Sequence, residues 1–218
     1  MLIKDIQMSI FTSKNNFDYS NDNLKKLLDI FNNKNVIPAF FSEVDNKNKT
    51  ETIRPLIKNI DDGTIFIIGS ARTDIKFDNF EKDVNKEYSI KYIKEFIDNN
   101  LIYLNNIISN FLFEVNRLAL NVFIESNPDD FFKSLINCIS FYEDSNRYTL
   151  RQEKIHKFSN FNYDINVISN FIYNNKASIS FDINTAINLS NKFVEADINT
   201  FFNASADLAD KLKNQFIK

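Results

Sequence analysis

The sequence predicts an α+β fold in which helices pack on one face of an antiparallel sheet, or of two. Three observations carry that expectation. Segments of period-two alternation recur along the chain, two longer stretches space their apolar residues by three and four, and turn signals separate them. A chain of 218 residues with 44% hydrophobic and 25% charged residues is long enough for one domain with a substantial core. Its 23 phenylalanines, with no tryptophan, make that core rich in rings that need no polar partner.

Residues 2–12 alternate, with Leu2, Ile6, Met8 and Ile10 on one face and Asp5, Gln7 and Ser9 on the other, the pattern of a half-buried strand. Ser20, Asn21 and Asp22 offer N-caps to a short helix bearing Leu24, Leu27, Leu28 and Phe31. Strands from Pro38 to Val44 and from Glu51 to Ile60 follow. Pro55 has no ladder donor, which assigns the second to an edge or a bulge. Asp62-Gly63 suits a tight primed turn and leads into one long strand, Thr64 to Phe77, with Ile65, Ile67, Ala71, Ile75 and Phe77 on one side. From Glu87 to Leu112, Ile90, Ile93, Ile97, Leu101, Leu104, Ile108 and Phe111 recur at helical spacing. Phe96, Ile102 and Tyr103 widen that stripe, so the helix is expected to be covered on more than one side.

The second half repeats this order. Leu118 to Ile124 alternates as a strand, and Asn127-Pro128-Asp129-Asp130 opens a helix to Ser140 with a cap, a first-turn proline and two acids facing the dipole. Strands are expected over Asn146 to Phe158, Asn162 to Asn174 and Ala177 to Thr185, although Ile165, Ile168 and Ile172 in the second also suit a helix. A terminal helix then carries Ile198, Phe201, Phe202, Leu208, Leu212 and Phe216. The expectation is a single domain over 1–218, with pseudo-repeats 1–112 and 113–218 each written β-α-β-β-β-α.

Several function classes drop out. Gly63 and Gly69 are the only glycines, too few for a phosphate-cradling loop or a dinucleotide fingerprint. One cysteine and one histidine preclude a clustered His/Cys metal site and an intramolecular disulfide; a magnesium site of carboxylates alone stays open, needing acids from several strands, but nothing in the sequence supports it and no cofactor or metal is expected. The apolar run Ile65-Phe66-Ile67-Ile68 is strand-sized, far below the roughly 18 residues of a membrane helix. Lys4 and Asp5 interrupt any signal-peptide stretch. With a lone Cys138 and a composition rich in Asn, Lys, Ile and Phe, the setting expected is a bacterial cytoplasm. A net charge of −3 gives no global attraction to nucleic acid or anionic lipid. Cys138 among Leu135, Ile136 and Ile139 reads as a small core residue rather than a nucleophile for His156, and Asp129 and Asp130 as first-turn acids rather than a general acid/base pair.

Two groups of residues are candidates for binding. Arg147, Arg151, Lys154, His156 and Lys157 line one alternating strand with Tyr148, a pattern that suits a phosphate-tracking surface or, equally, a solvated and charge-protected edge. Arg72 and Arg117 fall inside apolar strands, where a guanidinium must find an internal partner such as Asp74, Glu114 or Asp182, or else a ligand anion.

The segment Asn116-Arg117-Leu118-Ala119-Leu120-Asn121, following the Asp62-Gly63-Thr64 turn and the long helix, resembles a sporadically distributed family of uncharacterised bacterial proteins. In that family a strand carries Arg, an aliphatic residue, a small residue, Leu, then Arg or Asn. The resemblance covers about the middle third of the chain; it implies an α+β fold and no established activity.

The leading expectation is a non-enzymatic binding or assembly protein that uses its sheet face or long helix to hold a protein partner or its own copy. An accessory of a phage-defence or toxin-neutralising system is one setting for it. The alternatives are a nucleic-acid or polyanion binder acting through the basic strand, and an enzyme with a site between the two halves near Arg72 and Arg117.

Overall fold

The computed structural model describes residues 2–14, 17, 20–45, 49–78, 90–126, 148–174 and 176–216. The expected helix 128–140 with Asp129, Asp130 and Cys138, and Arg147, lie outside them. Nine strands form one antiparallel sheet: β1 (Leu2–Lys14), β2 (Val36–Asp45), β3 (Thr50–Asn59), β4 (Thr64–Ile68), β5 (Arg72–Asp78), β6 (Glu114–Ser126), β7 (Tyr148–His156), β8 (Ile165–Asn174) and β9 (Lys176–Thr185). Their order across the sheet is β2-β3-β4-β5-β1-β6-β9-β8-β7. The helices are α1 (Asn21–Ile30), α2 (Ile90–Asn110) and α3 (Glu195–Phe216). The fold is therefore α+β, as expected.

Alternation sorts the strands into two faces. Ile6, Met8 and Ile10 of β1, Ile75 and Phe77 of β5, Leu118 to Ile124 at every second position of β6, and Ile179, Phe181 and Ile183 of β9 are all buried in one cluster. Against them pack Leu27 and Phe31, the α2 stripe of Ile93, Ile97, Leu104 and Ile107, and Phe201, Phe202 and Leu212 of α3. Ring contacts tie the layers together: Phe31 meets Phe66 at 4.7 Å, and Phe181 meets Phe216 at 6.3 Å. All three helices contact this face. Between α2 and α3, the Lys94 ammonium meets Asp207 at 2.7 Å, and that hydrogen bond raises its pKa above the ordinary lysine value. Burial does the same to the Tyr92 hydroxyl, with Asp62 and Glu95 adding to it. The α2 stripe is thus consumed within the chain, with Ile102 its exposed exception.

Local chemistry explains the boundaries. Ser20 caps α1, its side chain accepting from the Asn23 amide, as expected of an N-cap. At the start of α3 the Val194 amide donates to Asp197 at 3.2 Å. Leu112 leaves α2 at φ 53°, so the helix ends at Asn110 rather than two residues later.

Four expectations change. The register of β1 against β6 shifts between Ile3 and Asp5; this bulge turns Ile3, not Leu2, into the core. The turn after β3 is longer than a two-residue loop: the Gly63 amide donates to the Asn59 carbonyl at 3.0 Å, Asp62 accepts from Thr64, and Gly63 takes φ 79°. The single strand Thr64 to Phe77 is in fact two, β4 and β5, which pair antiparallel with Thr64 opposite Phe77. A turn at residues 69–71 separates them, closed by the Gly69 amide on the Arg72 carbonyl at 2.9 Å. It also reverses the parity, so that Phe66 and Ile68, rather than Ile65 and Ile67, face the core. Pro55 follows the same logic. β3 pairs with β4 only at Leu56, Ile57 and Lys58, so Pro55 lies beyond that ladder, on an arm where β3 holds β2 alone. With five strands before α2, the first half exceeds the β-α-β-β-β-α unit by one strand, and an internal duplication is not shown.

Candidate functional site

The sheet face opposite the helices carries the polar positions of the central strands. Gln7, Ser9 and Phe11 project there from β1, Arg72 and Asp74 from β5, Arg117 from β6, and Asp182 and Asn184 from β9. Register brings them together: Phe11 stands opposite Arg72 on one side and opposite Arg117 on the other. The two guanidinium carbons lie 5.2 and 4.8 Å from the Phe11 ring centroid, a cation–π sandwich in which each contact is worth about 0.5–2 kcal/mol depending on desolvation.

The two arginines differ in what else they meet. Arg72 donates from Nε to Asp74 at 2.6 Å and from Nη2 to Ser9 at 3.3 Å. The same Asp74 oxygen accepts from Ser9 at 2.6 Å and from Gln7 at 3.0 Å. This four-residue network is closed on itself, and it explains how Gln7 and Ser9 are buried on the face opposite α1, α2 and α3. Arg117 has one bond, from Nη2 to the Asn184 amide oxygen at 3.3 Å. Asn184 in turn donates to Asp182 at 2.9 Å. The Nε of Arg117 is buried without an acceptor, and among the described residues no carboxylate comes within ion-pair distance of it. Glu114, an expected partner, instead faces Lys192 at 3.8 Å.

The reason lies in where the ladder stops. β6 pairs with β9 from Ala119 to Ser126; below that, Leu118 donates to the Thr185 hydroxyl and Phe193 donates to the Val115 carbonyl. No β9 residue stands opposite Arg117. The chain turns away through Ile187, and a groove of about 450 Å³ opens there, lined by Arg117, Asn184, Asp182, Asn166, Ile168 and Ile187, with Glu153, Lys154, Ile155 and Val167 completing it.

The basic strand is split. On β7, Arg151 donates to Glu153 at 2.7 Å on one face, while Lys154 and His156 fall on the other by alternation. Beyond the strand Lys157 faces Asp164 at 3.5 Å, and the Nε2 of His156 is buried without an acceptor. Arg151, Lys154, His156 and Lys157 therefore form no single cationic row, whereas Arg72 and Arg117 converge on one ring. Sequence reasoning missed Phe11 and Asn184. The signal for Phe11 was present: a ring at the parity of Gln7 and Ser9 breaks an otherwise polar face.

A third feature is the β2–β3 arm. Phe40, Val44 and Ile53 share the helix-side parity of these strands through the pairs Phe40–Pro55 and Ser42–Ile53, yet are 45%, 56% and 49% exposed, and α1, α2 and α3 leave them uncovered. The other face of the arm is tethered: Arg54 meets Glu43 at 2.8 Å and the Phe17 carbonyl at 3.1 Å, and Glu43 accepts from the Ser70 amide at 3.0 Å.

No protein-family model matches the chain, and no curated protein matches it. The resemblance of the Asn116 to Asn121 strand rests on its residues alone.

Proposed function

We propose that the chain is a binding and assembly protein acting through protein–protein contacts, and that the β2–β3 arm carries the contact with a second copy. The supporting observation is the row of exposed apolar side chains on a ten-residue end strand and its neighbour, Phe40, Val44 and Ile53. A long apolar end strand is a template for pairing with another chain. A second copy fits because two-fold antiparallel pairing sets β2 against itself. Val36 to Ser42 holds no charged side chain, and the first acid, Glu43, is already paired with Arg54. The other end strand, β7, would bring Arg151, Glu153 and Lys154 against their own copies. Ile60 donates to the Asn35 carbonyl, so by alternation the backbone of Pro38 points outward. With no N–H there, pairing runs through Phe40 to Val44.

No helix of the described residues is long and apolar enough to cross a membrane. The lone Cys138 and the AT-rich composition support a bacterial cytoplasmic setting. Sedimentation equilibrium at micromolar concentration tests the assembly: the expected mass is twice that of one chain, falling to one chain in a Phe40→Lys/Val44→Lys variant whose unfolding midpoint is unchanged. A wild-type mass of one chain, or a dimer indifferent to both substitutions, overturns the assignment.

A further inference from the structure

We propose that the groove beside Arg117 is a binding site for a small monocarboxylate with an apolar body. The argument is independent of the arm and of self-association. It begins with the guanidinium: Arg117 has a buried Nε with no acceptor, a single long bond to Asn184, and no carboxylate partner among the described residues. A partly buried, uncompensated cation is an unfavourable state that an incoming anion relieves, and a guanidinium matches a planar carboxylate with two parallel donors. Phe11 holds that guanidinium, whose carbon lies 4.8 Å from the ring centroid, so a ligand meets a donor whose freedom is already reduced.

The walls select the rest of the ligand. Asp182 and Glu153 line the same groove and repel a polyanion, which favours one negative charge over the two of a phosphate. Ile168 lies in register between these two acids, and Ile155 and Ile187 are 70% and 75% exposed, together giving an apolar surface that a hydrocarbon body would cover. The amides of Asn166 and Asn184 add polar contacts at the carboxylate end. The groove volume of about 450 Å³ falls within the roughly 300–1,000 Å³ typical of small-molecule sites. The closed Arg72 network offers no such vacancy, so the site is confined to the β6–β9 side of Phe11.

The test is a titration of the full chain followed by nitrogen- and carbon-edited NMR, reading the Arg117 Nε–H resonance and the Ile187 methyls respectively, assigned by their loss in Arg117→Lys and Ile187→Val. Hexanoate is the probe, with hexanamide and inorganic phosphate as controls. The expected result is saturable movement of both sets of signals by hexanoate, with affinity at least about tenfold weaker for hexanamide, the loss of one charge-assisted pair. Ile187→Asp, on an exposed loop, should weaken hexanoate by a similar factor while leaving the amide spectrum of the sheet in place. No shift with millimolar hexanoate, equal binding of hexanamide, or phosphate binding as well as hexanoate would each overturn the proposal.

Discussion

Arg72 and Arg117 flank one ring from opposite sides of β1, and the halves of the sheet around them behave differently. On the β5 side, the carboxylate that neutralises the guanidinium stands two residues along the same strand, and β1 supplies two further donors to it. On the β9 side, the ladder ends before it reaches Arg117, and the nearest polar group is a neutral amide that already serves Asp182. The lesson concerns address rather than residue type. An arginine within a strand is stabilised when its partner lies at i+2 on its own face, because strand geometry alone guarantees the meeting. It is left to a ligand where the strand that should provide the partner has turned away.

Substitutions break this comparison in graded steps. Asp74→Ala removes the acceptor shared by Arg72, Ser9 and Gln7 and strands all three; a loss of about 3 kcal/mol is expected in urea unfolding. Phe11→Ala removes the platform under both guanidiniums and should cost about 2 kcal/mol, less than a core phenylalanine because the ring is partly exposed. Gly69→Ala places a Cβ 3.0 Å from the Arg72 carbonyl and 3.2 Å from Glu43, straining the turn that sets the parity of β5; about 1–2 kcal/mol is expected. Arg117→Met sharpens the contrast most. With no ion pair to lose, it should change stability by less than about 1 kcal/mol, in either direction. An Arg117→Met loss as large as that of Asp74→Ala would mean that both arginines are structural.

Much of the fold was legible because alternation and helical spacing are local. Strand β1, the Ser20 cap, α2, β9 and α3 all follow from side-chain period and turn residues, whereas the spacing of Ile165, Ile168 and Ile172 in β8 suits a helix as well as the strand observed. The β4–β5 division was missed, because Ile65 to Ile68 is apolar at every position and so does not show its parity; the signal available was Gly69-Ser70, a turn step at one of the two glycines. Of the candidate site, Asp74 was among the three carboxylates expected to partner Arg72 or Arg117, and it is the one that meets Arg72. Asn184 and the groove were not legible, since they depend on β6 lying next to β9 and on where that pairing stops. Strand order is a long-range property. The arm was hidden for a similar reason: the strands Pro38 to Val44 and Glu51 to Ile60 were legible, but whether α1, α2 or α3 would cover Phe40, Val44 and Ile53 depends on tertiary packing.

The central position of β1 has a consequence for synthesis. β1 is made before either of its neighbours: it joins β5 once residue 78 has emerged, but its other edge belongs to β6, whose pairing runs from Glu114 to Glu125. Until β6 is made, a thirteen-residue strand keeps one side unsatisfied. Pairings so distant in sequence close slowly. The nascent chain thus passes through a state in which its most hydrophobic seam is open, and the speed at which α2 docks and delivers β6 decides whether that seam meets its own chain or a neighbour's.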